Sequence, residues 1–379
     1  MDASTVILIG GFLGAGKTTL MRRAAAMFAA RGQKAGVVTN DQAADMVDTR
    51  FFIQEGVPVQ EVSGSCFCCN FDGLVDALRK LRSGASAGVI LAESVGSCTD
   101  ISATVMQPLK EKYRRDFTVG PLSVVLDPAR LGEAFPSPDF PGNSPFLPRL
   151  HESAAYIVRK QMEEADILLL NKKDTLDAEA LDGLTAFLRK TCPQAGVLAL
   201  SALSGEGMEE WLAALRGHAR AGGRLARVDY DVYAEGEAAL GWLNAEARLK
   251  ALAGAGDWRH FCECFMQKLT LAFQEEKACV GHVKVLLWAE GCPQSLTANS
   301  VGTGDLFSLR GGLPAGAAEV ALLVNARVEM APDALRRVVL RLLDEACAAL
   351  RLEHSILSLN SLSPGRPEPT WRYDRVIEA

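Results

Sequence analysis

Short apolar, β-branched runs alternate with longer amphipathic stretches through the first half of the chain: TVILIG then TTLMRRAAAMFAARG, KAGVVTN then GLVDALRKLRSG, AGVILAES, LSVVLD, ADILLLNK then LDGLTAFLRKTCP, and AGVLALSA. The cores VILI, VVLD and ILLL are continuous rather than alternating, as parallel strands covered on both faces require. This rhythm predicts an α/β domain over residues 1–220, a parallel sheet flanked by helices. The Pro-rich piece FPSPDFPGNSPFLP, residues 135–148, reads as a surface loop within it. After Trp211 the pattern breaks in RGHARAGGRLARVD, which reads as a linker over 217–227.

Beyond the linker the period changes. LGWLNAEARLKA alternates as a strand, WRHFCECFMQKLTLAFQEEK is helical, and GHVKVLLWAE is a strand followed by the weaker QSLTANSV. AEVALLVNARV, the helix PDALRRVVLRLLDEACAALR and HSILSLN complete the series. Strand, helix, two strands, helix, strand is the split βαβ order, so residues 228–379 are predicted to form a smaller α+β, ferredoxin-like domain with one additional hairpin strand. The segment SPGRPEPTWRYDR reads as irregular chain on the surface.

Composition narrows the function classes. The 379 residues suit about two to three domains. A net charge of -6, without a Lys/Arg run, argues against a general nucleic-acid binder. No segment approaches about 18 uncharged apolar residues, and the start MDASTVILIGG lacks a basic leader, so a cytoplasmic protein without membrane association is expected. Thiols stay reduced in that compartment, and three of the ten cysteines crowd into GSCFCCN, which points to metal or redox chemistry.

GGFLGAGKTT satisfies GxxxxGK[ST] through Gly11, Gly16, Lys17 and Thr18, with Gly14, Ala15 and Thr19 completing the loop, and it lies between a predicted strand and a predicted helix. That is the context of a P-loop NTPase: backbone N–H groups cradle phosphate, Lys17 neutralises the β/γ oxygens and Thr18 ligates Mg²⁺. AGVILAESVGS supplies an acidic residue, Glu93, at the end of a neighbouring run, to hold the Mg²⁺ shell and orient water; Lys17 and Glu93 are the catalytic candidates. ADILLLNKKD ends in Asn171, Lys172 and Asp174, and the Asp174 carboxylate suits the paired N1 and N2 donors of guanine, which adenine lacks. In ALSALSGEG, Ser201 and Ala202 are expected to offer a backbone N–H to guanine O6. GTP, with GDP as product, is therefore preferred over ATP.

Together GGFLGAGKTT, TND at 39–41, GSCFCCN, ESVG and NKKD resemble the CobW family of P-loop GTPases of the SIMIBI class, relatives of the hydrogenase and urease nickel-insertion GTPases, over most of residues 4–215. The resemblance implies a metallochaperone that couples GTP hydrolysis to delivery of a divalent metal to a client metalloprotein or a cobalamin-type pathway, with a separate C-terminal domain for the client. It also implies that Lys172 lines the base through its aliphatic stem. Asp41 stands where the family has an acidic metal or switch residue, although Asn40-Asp41-Gln42-Ala43 replaces the usual Asn-Glu-x-Gly and the C-terminal His-rich run of some members is missing.

Cys66, Cys68 and Cys69 offer three soft donors, with a fourth position for Asp41, water or a client ligand; zinc ranks first and cobalt second. The alternatives are a structural zinc clip serving a nucleotide-gated docking switch, or a redox-active thiol cluster. Slow intrinsic turnover is expected, since no arginine finger is evident and a partner protein or homodimer would complete the electrostatics. Cys98 reads as a buried residue after a strand and Asp127 as a helix cap; His260 and Cys264, four apart on one face of an apolar helix, read as core packing rather than as a second metal site with Cys262, Cys279 or His282.

Overall fold

A computed structural model of the chain describes residues 3–41, 47–136, 140–141, 150–217, 221–302 and 307–378. Most of the Pro-rich loop read over 135–148 lies outside the described residues. The chain forms two compact units, one of Met1–Gln42, Phe51–Gly236 and Arg366–Ala379, the other of Ala43–Arg50 and Glu237–Gly365. The last stretch, from Arg366, thus belongs with the first unit, whereas the 228–379 boundary read from the sequence assigns it to the other domain.

The first unit is built on the parallel strands β1 (Ser4–Gly10), β2 (Ala35–Asn40), β3 (Val59–Val62), β4 (Val89–Glu93), β5 (Phe117–Val119), β6 (Ser123–Leu126), β7 (Ile167–Leu170) and β8 (Gly196–Ala199). Their order is β3-β2-β4-β1-β6-β7-β8, and β5 pairs with the start of β1. Each uninterrupted apolar run is buried on both faces: Ile167 to Leu170 are all fully inaccessible.

Helices α1 (Lys17–Ala30), α2 (Val47–Gln54), α3 (Phe71–Gly84), α4 (Gln107–Lys112), α5 (Pro128–Ala134), α6 (Glu152–Glu164), α7 (Ala178–Thr191), α8 (Met208–Gly217) and α9 (Tyr230–Ala238) separate or follow the strands. One sheet face buries Ile7, Ile9, Leu91 and Leu169 against Leu20, Met21 and Ala24 of α1 and Trp211 of α8. The Trp211 indole N–H donates to Ser123 Oγ at 2.9 Å, so its one polar atom is satisfied inside the core. Because the strands are parallel, all their carboxyl ends, and the loops that follow them, share one edge of the sheet, where ligands of such folds bind.

The second unit follows β9 (Gly241–Ala251), α10 (Trp258–Glu275), β10 (Val280–Trp288), β11 (Ser295–Ser300), β12 (Ser308–Gly311), β13 (Glu319–Val328), α11 (Pro332–Ala349) and β14 (Leu352–Leu362). The antiparallel order is β12-β11-β10-β13-β9-β14. The strands β10-β13-β9-β14 are the ferredoxin-like arrangement expected, with α10 and α11 joining the sheet in one apolar core. Two strands extend the edge where the sequence predicted one: β12, only SLRG, is too short to show a strand period before its pairing with β11 is seen. Among the described residues no helix is long and apolar enough to cross a membrane.

Candidate functional site

The loop between β1 and α1 has the backbone its glycines allow. Gly11 has φ +128, and a Cβ there would fall 2.2 Å from Val125 O; Gly16 has φ +98, and a Cβ would meet Asn171 Nδ2 at 2.4 Å. Gly14 is also left-handed, at φ 79, and Ala15 is buried beside it. No acidic residue occupies the first turn of α1, which begins at Lys17, so its N-terminal partial positive charge is not neutralised from within the turn.

Lys17 is 6% exposed, and its Nζ donates to Gly11 O at 2.8 Å and stands 3.8 Å from Glu93 Oε1. Thr18 Oγ1 donates to Glu93 Oε2 at 3.1 Å, while Thr19 follows it in the first turn. The adjacency comes from the sheet, where Glu93 ends β4 in register with Ile9 of β1. A hydroxyl and a carboxylate thus converge on one point, and oxygen donors so placed suit Mg²⁺, whose ligand bonds are ~2.0–2.1 Å.

Asn171, the first residue after β7, acts as a brace. Its Nδ2 donates to Ala15 O at 2.8 Å and its Oδ1 accepts from Ala202 N–H at 2.9 Å, tying the phosphate loop to the loop after β8. The donors expected to face guanine O6 are therefore engaged within the protein, Ala202 N–H with Asn171 and Ser201 N–H with Glu206 O at 2.9 Å. Lys172, left-handed at φ 59, is tethered through Nζ to Asp127 Oδ2 at 2.6 Å. Asp127 also caps α5 by accepting from Ala129 N–H at 3.1 Å, the capping role expected of it. Asp174 lies exposed in a 3₁₀ turn over Lys173–Thr175, with its carboxylate open to solvent.

The cysteine turn is held from β2. Asn40 Nδ2 donates to Val62 O at 2.9 Å and Ser65 O at 2.8 Å, and Asn40 Oδ1 accepts from Phe67 N–H at 2.9 Å. The turn closes with Cys69 and Asn70 N–H donating to Cys66 O at 3.0 and 2.9 Å, and Asn70 then caps α3 through Gly73 N–H. These constraints bring the sulfurs together: Cys66 Sγ is 2.9 Å from Cys68 Sγ and 3.4 Å from Cys69 Sγ, with Cys68 and Cys69 at 3.8 Å.

Cys66 and Cys68 are buried and Cys69 is half-buried. Hydrogen bonds from Cys68, Cys69 and Cys98 hold the Cys66 thiol well below its ordinary value. The same bond to Cys66 raises Cys68, and raises Cys69 to about 11. One thiolate is thus stabilised by its neighbours, the state in which cysteine binds metal. The donor set, three sulfurs within 4.8 Å of one another, fits a borderline or soft ion such as zinc. The Asp41 carboxylate is not within that set; Asp41 N–H donates to Val62 O at 3.2 Å at the end of β2.

Sequence reasoning missed what covers the turn. Thr370 N–H donates to Cys68 O at 2.8 Å, Thr370 Oγ1 to Cys69 O at 3.1 Å, and Glu368 N–H to Cys69 Sγ at 3.2 Å. The stretch is irregular, as expected, but it is anchored: Arg372 Nε donates to the buried Asp100 at 2.7 Å, Tyr373 N–H to Ala103 O at 3.1 Å, and Ile377 N–H to Gln107 Oε1 at 2.7 Å. The Asn40 brace was within reach, since TND was singled out, but its partners lie 22 and more residues away.

The helix with His260, Cys262 and Cys264 does not assemble a second site. Cys262 is fully buried among Phe261, Phe265 and Met266, burial pushes its thiol up to about 12, and His260 is exposed. Among the described residues Cys66, Cys68 and Cys69 are the one group of three or more potential ligands.

A family model described as "CobW/HypB/UreG, nucleotide-binding domain" matches residues 5–199. The zinc chaperone CobW of Pseudomonas aeruginosa is 29% identical over 220 residues, 50% of this chain and 54% of that protein. The zinc-regulated GTPase metalloprotein activator 1 of Dictyostelium discoideum is 24% identical over 221 residues, 51% and 45% of the two chains. The zinc chaperone YjiA of Escherichia coli is 33% identical over 89 residues, 22% and 27% of the two. The chain spans about half the length, or less, of the curated relatives it matches.

Proposed function

The chain belongs to the CobW/HypB/UreG family, and from that premise we propose that it is a GTP-hydrolysing metallochaperone that binds and delivers a transition metal, zinc first and cobalt second, in the cytoplasm. The observation that carries the reading is the convergence of three thiols, 2.9 to 3.8 Å apart, on a turn braced by the end of β2 in the same sheet whose β4 ends in Glu93. The names of the relatives, zinc chaperones and a zinc-regulated activator, support zinc as the cargo.

In this reading Gly11, Gly14, Ala15, Gly16 and Thr19 wrap the phosphates, Lys17 neutralises them, and Thr18 and Glu93 hold Mg²⁺. Asp174 reads guanine, with Lys172 along the base and Asn171, Ser201 and Ala202 shaping the loop beside it. Cys66, Cys68 and Cys69 hold the cargo ion, and the second unit receives the client metalloprotein. Turnover without a partner or a second copy of the chain is slow, as in GTPases whose transition-state charge is supplied by an arginine from a partner.

Titrating zinc into the GTP-bound and GDP-bound forms tests the coupling. The two affinities should differ about 5- to 150-fold, the usual span of a coupling between two sites. Equal affinities, with unfolding when zinc is stripped, would leave a docking switch with a structural zinc clip instead. The nucleotide choice has its own test. In Asp174→Asn an amide replaces one carboxylate acceptor by a donor, so preference should move from GTP towards XTP. Competition of the two nucleotides for the variant measures it, and an unchanged preference for GTP removes Asp174 from base recognition.

A further inference from the structure

The segment over the cysteine turn is shaped by its own sequence. In RPEPT, Pro367 and Pro369 have fixed φ angles, and each biases the residue before it, Arg366 and Glu368, towards extended backbone. Prolines carry no N–H, so Glu368 and Thr370, two residues apart, are the donors of this stretch. Both are spent on the turn: Glu368 N–H donates to Cys69 Sγ at 3.2 Å and Thr370 N–H to Cys68 O at 2.8 Å, while the Thr370 hydroxyl donates to Cys69 O at 3.1 Å. These are light bonds, two of them from neutral backbone. The hold farther along is of another kind. Arg372 Nε donates at 2.7 Å to Oδ2 of the fully buried Asp100, which also accepts from the Tyr230 hydroxyl at 2.7 Å. Breaking that pair strands a carboxylate away from water, which is far more costly than losing a neutral bond. The Trp371 ring lies 3.9 Å from Lys112 Nζ, and Tyr373 N–H donates to Ala103 O at 3.1 Å.

We propose that residues 366–371 are a gate over the metal site, which lifts from the cysteine turn whenever an ion enters or leaves, and that Arg372, seated on Asp100, is the positioning residue that brings the gate back. The inference rests on the metallochaperone reading and names how access to that same site is controlled. Cys66 and Cys68 are 3% and 4% exposed, too enclosed for a client's ligands to reach, and Cys69, the half-buried sulfur, is the one that Glu368 engages. Lifting the gate therefore frees the most accessible sulfur first. The cost of lifting is small where the bonds are light, and the strong tie at Arg372 keeps the segment close by. Reclosing orders little chain, because the two prolines have already narrowed its conformations. The rate at which the sulfurs react or release an ion then follows the population of the lifted form.

The test has two readouts on the full chain. One is the reaction of the turn's thiols with Ellman's reagent in the metal-free protein, taken as the difference from the Cys66→Ser, Cys68→Ser, Cys69→Ser triple variant so that the remaining cysteines cancel. The other is the passage of zinc, loaded at one ion per chain, to a coloured chelator. Thr370→Pro removes the N–H and the hydroxyl that hold the gate down, and Arg372→Ala removes its anchor. In each variant both rates should rise by about 10-fold or more, the scale of one or two lost hydrogen bonds. Thr370→Pro leaves Asp100 paired, so it decides the matter if the stranded carboxylate of Arg372→Ala unfolds the chain. A lowered melting temperature with both rates unchanged shows a merely structural segment and overturns the gate. Faster thiol reaction with zinc leaving at its original rate overturns it too, since the ion then has another way out. Both of those outcomes leave the three-cysteine site standing, whereas a chain that binds no zinc sinks the metallochaperone reading and the gate with it.

Discussion

Lys17→Ala loses GTP turnover by about 10²- to 10³-fold or more, the cost of deleting one preorganised charge or donor from a transition state. The size follows from the environment. Nζ is almost fully withdrawn from water, donates to Gly11 O and stands 3.8 Å from the Glu93 carboxylate, so bulk solvent does not reach the point it occupies. In such surroundings a charge on the β/γ oxygens is worth several times what it is in water. The variant also removes the cation beside Glu93, itself 9% exposed and bonded to the Thr18 hydroxyl, which adds repulsion between like charges to the lost attraction. Phosphate release at saturating GTP measures the effect, and turnover within about threefold of the unaltered protein would show that the phosphates are neutralised from elsewhere.

The second large effect is on metal. With Cys66, Cys68 and Cys69 all changed to Ser, the intense charge-transfer absorption of Co²⁺ bound to thiolates disappears and zinc affinity falls by at least about 10³-fold, because thiolate zinc sites draw ~10–16 kcal/mol from their ligands together. The turn itself survives, since the bonds made by Asn40, by the backbone of Cys66 and by Thr370 do not use sulfur, and only the Glu368 N–H bond to Cys69 Sγ is passed to a shorter hydroxyl. Desolvating two buried hydroxyls in place of thiols costs about 1–3 kcal/mol each, felt as a lower melting temperature. GTP binding, carried by other residues, is the folding control. Thiolate absorption that persists in the triple variant would move the metal elsewhere in the chain.

Much of this was legible before any coordinates. Continuous apolar runs announced a parallel sheet, the change of period after residue 228 announced the ferredoxin-like unit, and a phosphate loop is local enough to be written in ten consecutive residues. What was not legible depends on contacts far apart in the chain. Asn171 sits in a motif that suggests base contact, yet its carboxamide is committed to Ala15 and Ala202, 156 and 31 residues away. The stretch from Arg366 has no helix or strand period at all, because it is held by side chains and by isolated backbone bonds rather than by a ladder. A short edge strand such as β12 is equally silent until its partner is known.

The cover over the cysteine turn also sets a timetable. Glu368 and Thr370 lie 299 and 301 positions beyond Cys69, with Glu237–Gly365 of the second unit made in between. At a synthesis rate of ~5–20 residues per second, a nascent chain spends roughly 15–60 s with its thiols already made and their covering segment not yet in existence. During that interval the ribosome, and not the nucleotide, governs access to the sulfurs, so each new molecule passes once through an uncovered state in which the ions of its surroundings compete for it freely.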